Sequence, residues 1–184
     1  MVEIRFHGRG GQGTVVASIL MANAFFQADY WVQSFPLFGV ERRGAPVEAY
    51  LRLDKKEILI RTNVYTPDHV VVMDQSLLQA VDVTKGLKPK GWVLINAASP
   101  PEADAVFSEF RVAIVDATRI ALENKLGTRT HPIINTAMMG GFAKILDMPP
   151  MDAIEKAVWE EVPYHHEKNI QAAKDAYQKV RIIT

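Results

Sequence analysis

Between a strand-like alternating stretch, Val2 to His7, and a helical one with few polar interruptions, Thr14 to Ala28, lies the hexapeptide Gly8-Arg9-Gly10-Gly11-Gln12-Gly13. This arrangement predicts strand, bare loop and helix, and so an α/β opening. Glycines tolerate positive φ and carry no side-chain bulk, so several backbone N–H groups can converge on one anion at the partially positive start of a helix. Gly8, Gly10 and Gly13 satisfy G-x-G-x-x-G, Gly11 bares the loop further, Arg9 adds a cation and Gln12 an amide. The alternative is a tight strand-to-helix turn with no ligand. A nicotinamide or flavin dinucleotide further requires an acid at the end of the second strand to hold the ribose. Tyr30-Trp31-Val32-Gln33-Ser34-Phe35 has none, and Asp29 precedes the strand, so a different phosphate-bearing ligand is expected.

The rest of the chain continues the α/β pattern. Trp31 to Phe35 reads as a short strand, and Pro36 to Pro46 as a loop rich in Gly, Arg and Pro. Val47 to Leu53 alternates apolar and polar residues; with Asp54-Lys55-Lys56 as the turn and Glu57 to Arg61 returning, it predicts an antiparallel hairpin. The runs Asp68 to Met73, Trp92 to Asn96 and Phe110 to Val115 suit strands covered on both faces. Gln75 to Val81, Pro101 to Ser108 and Ala117 to Leu126 are helical. Three further helices follow, Ile133 to Leu146, Met151 to Val162 and His165 to Val180, separated by Pro149-Pro150 and Pro163. The expected architecture is one Rossmann-like α/β domain over residues 1–184, mainly parallel, with an antiparallel hairpin and C-terminal helices.

Composition narrows the function. The formal charge of the 184 residues is zero, which argues against nucleic acid as the main partner. With no cysteine, the chain has neither disulfides nor thiolate ligands for an iron–sulfur cluster. No apolar run spans a bilayer and the N-terminus lacks a signal-peptide pattern, so a cytoplasmic protein without a membrane partner is expected.

Three segments carry a resemblance to a known family. Phe6-His7-Gly8-Arg9-Gly10-Gly11-Gln12-Gly13 resembles the start of the gamma subunits of 2-oxoacid:ferredoxin oxidoreductases. Phe38-Gly39-Val40-Glu41-Arg42-Arg43-Gly44-Ala45-Pro46-Val47 is similar to that family's Gly-x-Glu-Arg-Arg-Gly loop. Asn135-Thr136-Ala137-Met138-Met139-Gly140-Gly141-Phe142-Ala143-Lys144 is similar to its third signature, and Glu167-Lys168-Asn169 fits its closing helix. The resemblance implies a complex of alpha, beta, gamma and delta-type subunits, expected here to be of the pyruvate (pyruvate synthase) type. Such complexes decarboxylate a 2-oxoacid on thiamine diphosphate and its Mg ion, pass electrons through [4Fe–4S] clusters to ferredoxin, and transfer the acyl group to coenzyme A. Thiamine diphosphate, Mg and the clusters then belong to partner subunits. The gamma chain sits at the coenzyme A end, holds no cofactor alone, carries no catalytic or metal-binding residue, and can form a homodimer when isolated. Gly8, Arg9, Gly10, Gly11, Gln12, Gly13, Arg42 and Arg43 are the candidate phosphate contacts, because Arg forks suit phosphate. Two other readings stay open: a purely structural subunit of a related 2-oxoisovalerate, 2-oxoglutarate or indolepyruvate enzyme, and a free-standing dinucleotide-dependent reductase.

Other residues have plainer expectations. Arg42 and Arg43 can equally pair with carboxylates of a neighbour. Asn135 and Thr136 are expected as helix caps, His7 as a hydrogen-bonded packing residue, and His165-His166 as exposed side chains. Gly140-Gly141 within a helix implies close approach of another element. Trp31, Phe35 and Phe38 suit either an interface or the core.

Overall fold

The structure, a computed structural model, describes residues 1–37, 43–102 and 104–183. Its centre is a seven-stranded sheet in the order β2-β3-β1-β4-β5-β6-β7. The strands are β1 (Val2–Arg9), β2 (Trp31–Pro36), β3 (Pro46–Asp54), β4 (His69–Val72), β5 (Trp92–Asn96), β6 (Arg111–Val115) and β7 (Arg181–Ile182). β1, β4, β5 and β6 run parallel, as continuous apolar strands covered on both faces do. β3 and β2 extend one edge antiparallel, and β7 closes the other.

Alternation of side chains across the sheet builds two unequal layers. Ile4, Phe6, Val71, Leu94, Ala113 and Val115 face the larger core. It is covered by helices α1 (Thr14–Gln27), α3 (Ala117–Glu123), α4 (Asn135–Leu146), α5 (Met151–Glu161) and α6 (His166–Lys179). Val70, Val72, Val93, Ile95, Val112 and Ile114 face the smaller core, under Leu77, Val83, Leu87 and Phe107. Here the cover is a 3₁₀ turn, Gln75–Gln79, the segment around Val83 and Leu87, and the short helix α2 (Asp104–Phe107).

The antiparallel hairpin exists, but its partner strand differs from the expectation. β3 pairs with β2 on one side and with β1 on the other, so no edge remains for Glu57 to Arg61. That segment is irregular, and Leu59 is 79% exposed. The chain that follows lies over the polar side of β3. Arg52 is 1% exposed there, and it donates to Glu3 Oε1 at 2.8 Å, to Gln33 Oε1 at 3.0 Å and to the Asn63 carbonyl at 3.3 Å.

The paired glycines of α4 have a packing cause. A Cβ on Gly140 would meet the backbone of Ala173 in α6, with the carbonyl carbon at 2.6 Å and the Cα at 2.8 Å. On Gly141 it would meet Val115 Cγ1 of the sheet at 3.2 Å. The glycines let α4 lie close against α6 and the sheet at once, fixing where the start of α4 points.

Candidate functional site

The strand order reverses between β1 and β4, because the chain leaves β1 toward β3 and β2 and returns to continue through β4, β5 and β6. Ligands of open α/β sheets bind in the crevice at the carboxyl ends of the strands beside such a reversal. The glycine loop lies there. Gly11 and Gly13 have φ of 90° and 75°, and Gly13 is the N-cap of α1 without a side-chain cap.

The loop is fastened by its own groups. Gly10 N–H donates to the Ala45 carbonyl at 2.9 Å and Gly44 N–H to the Gly10 carbonyl at 3.0 Å. Arg9 N–H donates to Gln12 Oε1 at 2.9 Å, and Gln12 Nε2 donates to Asp74 Oδ2 at 2.7 Å. Arg9 reaches Ser76 Oγ through Nη2 at 2.7 Å and the Gly44 carbonyl through Nη1 at 3.0 Å, with Nε 3.3 Å from Asp74 Oδ2. Burial alone would raise the Asp74 carboxyl. Hydrogen bonds from Ser76 and Gln12, with the Arg9 charge, outweigh burial and hold it below the usual carboxylate range. Arg9 and Gln12 therefore brace the loop. Among the described residues, the N–H groups of Gly11, Gly13, Thr14, Val15 and Val16 have no acceptor. Three of these are first-turn donors that a helix leaves unsatisfied.

A cavity of ≈ 600 Å³ opens against Gly11 and Gly13. Gly11 to Gly13, Met73 and Asp74 after β4, Asn96 at the end of β5, Thr118 and the start of α4 line it. Asn96 Nδ2 donates to the Met73 carbonyl and to Thr118 Oγ1, both at 3.1 Å, which ties β4, β5 and α3 together at the floor.

Asn135 and Thr136 are not the caps of α4. Ile134 holds the N-cap position with no side-chain bond. Thr136 Oγ1 instead donates to Asn169 Oδ1 at 3.0 Å, and Asn169 Nδ2 donates to the carbonyls of Tyr164 and His165. Asn135 is 8% exposed, and its Oδ1 has no hydrogen-bond partner. It lies against Gly13, where a Cβ would sit 2.9 Å from Asn135 Nδ2. A buried amide oxygen without a donor is costly unless something else completes it. Thr14 Oγ1 is the other such atom, pressed against Gly8.

Of the two arginines expected beside the loop, Arg43 is exposed, packs its Cγ near Gly11, and brings Nη2 to 2.9 Å from His131 Nε2 on the cavity rim. Arg42 lies outside the described residues, as does Phe38. His7 is buried and accepts from Arg5 Nε at 2.9 Å; burial pushes its pKa down to about 4 against the opposing charge of Glu48. His165 and His166 are apart from the cavity, with His166 stacked on Trp159 at 4.4 Å. Trp31 is 54% exposed, whereas Phe35 packs on Tyr50. The arrangement can bind an anion through backbone N–H groups and an amide-bearing ligand through Asn135.

Residues 3–179 match the family model for pyruvate ferredoxin/flavodoxin oxidoreductase. The chain belongs to this family. It is 48% identical to the pyruvate/ketoisovalerate oxidoreductases common subunit gamma of Pyrococcus furiosus, over 99% of this chain and 98% of the relative. It is 46% identical to pyruvate synthase subunit PorC of Methanothermobacter marburgensis, over 98% of each chain. Among solved structures, the pyruvate oxidoreductase subunit PORC of Thermotoga maritima superposes with a TM-score of 0.81 at 33% identity, covering 100% of this chain and 98% of that one. A 2-oxoglutarate:ferredoxin oxidoreductase from Magnetococcus marinus, solved with 2-oxoglutarate, coenzyme A and succinyl-CoA bound, shares the fold at a TM-score of 0.77 and 16% identity. This chain aligns over 96% of its length with 30% of that larger one. No helix among this chain's described residues is long and apolar enough to cross a membrane.

Proposed function

We propose that this chain is the gamma subunit of a pyruvate:ferredoxin oxidoreductase complex and that its glycine-rich loop binds the phosphates of coenzyme A. The observation carrying this reading is the pair of open N–H groups of Gly11 and Gly13 on a ≈ 600 Å³ cavity, followed directly by the unpaired first-turn donors of α1. Coenzyme A brings a diphosphate and a ribose 3′-phosphate, which want several fixed donors at once. Arg43 at the rim adds a cation, and Arg42 belongs to the same proposal from the sequence. Arg9 contributes by holding the loop open, with its charge shared between Asp74 and whatever the loop binds. A structure of the same fold was solved with coenzyme A bound, which is consistent with this chemistry.

In this reading the [4Fe–4S] clusters reside on partner subunits, since the chain has no cysteine to ligate one, and thiamine diphosphate with its Mg ion resides on the alpha, beta and delta-type partners as the family resemblance implies. Ferredoxin is the acceptor of the whole complex. The choice of 2-oxoacid also belongs to the partners. One relative's name assigns it to both pyruvate and ketoisovalerate oxidoreductases, as a gamma chain without substrate contacts allows.

The test is a coenzyme A titration of the reconstituted complex carrying Gly13→Ala. The substitution strains a residue at φ 75° and sets a methyl against the Asn135 amide. Losing one or two charge-assisted bonds of about 1.5–3 kcal/mol predicts at least a tenfold weaker coenzyme A affinity. The KM for the 2-oxoacid stays unchanged. Parental coenzyme A affinity in an intact Gly13→Ala complex would overturn the assignment.

A further inference from the structure

The segment Glu57 to Arg61 has the composition of a strand, with Ile58, Leu59 and Ile60 in a row, and no ladder to join, because β1 and β2 flank β3. Among the described residues, the backbone groups of Glu57 to Thr62 make no backbone hydrogen bond. Leu59 is 79% and Ile60 44% exposed, and Glu57 and Arg61 are exposed beside them. Neither of these two charges is paired with another described residue. Both ends of the stretch are nonetheless fastened. Lys55 Nζ donates to the carbonyls of Ala28 and Asp29 at 3.2 and 3.3 Å, and Lys56 N–H donates to Asp54 Oδ1 at 3.1 Å. Beyond it, the Asn63 carbonyl accepts from Arg52, and Val64 is buried. The residues between are presented to solvent with no helix or turn of their own, the kind of open backbone that folds usually pair or cover.

The charge order of the segment says what fits it. In an antiparallel pair of two copies centred on Leu59, Glu57 of each lies opposite Arg61 of the other, Ile58 opposite Ile60, and Leu59 opposite Leu59. Further out, Lys56 meets Thr62 and Lys55 meets Asn63, so no like charges face each other. A parallel in-register pair would set Glu57 against Glu57 and Arg61 against Arg61. We propose that Glu57 to Arg61 pairs antiparallel with the same segment of a second copy of this chain, across a two-fold axis at Leu59. Such an axis requires a self-complementary patch, which this order of residues supplies. The zero formal charge of the chain leaves no net-charge repulsion between copies. The contact is small, so the dimer is of the weak class that dissociates on dilution. None of these residues lines the cavity at the glycine loop, so the pairing is independent of any ligand bound there.

The chain has no cysteine, so single cysteines report the pairing. Leu59→Cys sets two thiols opposite each other on the axis, within disulfide reach, whereas Thr62→Cys leaves them about 20 Å apart along the strands. Under mild oxidation of the full chain, Leu59→Cys is expected to form covalent dimer about tenfold faster than Thr62→Cys. On the Leu59→Cys background, Glu57→Arg or Arg61→Glu alone sets like charges face to face and slows cross-linking about fivefold. The two together exchange the charges, keep unlike charges opposite, and restore the rate to within about twofold. All these positions are exposed, so the fold is kept, which the urea midpoint of each variant checks. Equal rates at 59 and 62, or single reversals that leave the rate unchanged, would overturn the proposal, as would reversals that the exchange does not rescue. A Leu59→Cys chain that stays monomeric alone and cross-links to a different subunit of the reconstituted complex would make that subunit the occupant, and overturns self-pairing equally.

Discussion

Gly140→Ala and Gly141→Ala are adjacent, chemically identical substitutions in one helix, and the packing of α4 predicts opposite outcomes for them. Alanine in place of glycine in a helix interior gains about 1 kcal/mol of propensity at either position. At Gly140 the new methyl meets backbone of Ala173, with its carbonyl carbon at 2.6 Å and Cα at 2.8 Å, and backbone cannot rotate away. The 14-residue helix α6 must move off as a unit, straining the Thr136–Asn169 hydrogen bond that joins the two helices. Overpacking against an unyielding neighbour costs about 1–3 kcal/mol, and this contact belongs at the upper end. The net is a loss of about 2 kcal/mol, or about 4–8 °C in Tm for a chain of this size. At Gly141 the methyl meets Val115 Cγ1 at 3.2 Å and Leu94 Cδ2 at 3.7 Å, side-chain atoms that give by a few tenths of an ångström. The propensity gain there is largely kept, and stability is equal to or slightly above the parent. Urea denaturation of the three proteins at one pH reads the difference directly. A Gly140→Ala protein as stable as the parent, or two variants that respond alike, would refute the claim that close α4–α6 contact holds this glycine in place.

Two further outcomes follow from the burial of polar groups. His7 and His69 are held neutral, chiefly by burial, with pKa values down to about 4 from an ordinary 6.5. The unfolded chain therefore takes up protons between pH 6.5 and 4 that the fold refuses. Stability is complete above 6.5 and falls as the pH drops toward 4, by up to about 1.4 kcal/mol per unit for each histidine. Urea midpoints measured from pH 7.5 to 4.5 check this, and His7→Gln should flatten the slope. Asn135→Leu removes a buried oxygen that has no partner, so the unliganded subunit should gain about 1 kcal/mol in the same assay while the complex binds coenzyme A more weakly. Lower stability without ligand would show that Asn135 serves the fold instead.

The elements that were legible are those whose pattern is local. Val70-Val71-Val72, Trp92 to Asn96 and Arg111 to Val115 are apolar on both faces because both faces are covered, and Pro149, Pro150 and Pro163 end helices wherever they fall. The misplaced hairpin has the opposite origin. Val47, Ala49, Leu51 and Leu53 declare one buried face of β3, yet nothing in that alternation says which strands lie beside it. Glu57 to Arg61 has strand-like composition and the right distance, but β1 and β2 already flank β3. The polar face of β3 is just as misleading. Arg52 suggests solvent, yet it is buried because Glu3 from β1, Gln33 from β2 and the Asn63 carbonyl converge on its guanidinium.

The candidate site divides along the same line. The glycine loop is visible in the sequence because its requirement, backbone without side chains, is written in consecutive residues. Asn135 is not, because its role arises only where the start of α4 meets the start of α1. An Asn in the first turn of a helix reads as a cap, and only the contact with Gly13 turns it into the wall of a cavity. The helix starts around that cavity show why the distinction matters. The 3₁₀ turn after β4 and helix α3 are each closed by an aspartate, Asp74 to Ser76 N–H and Asp116 to Arg119 N–H, so their positive ends are already answered. α1 and α4 begin at Gly13 and Ile134 with no side-chain cap. A missing cap is not diagnostic by itself, since α5 and α6 also lack one away from this opening. The uncapped starts of α1 and α4 differ from those in sharing one cavity beside a buried amide oxygen, Asn135 Oδ1, that has no partner. Capping them internally would have stabilised the subunit, and the coenzyme A phosphates proposed above would supply acceptors that these starts lack.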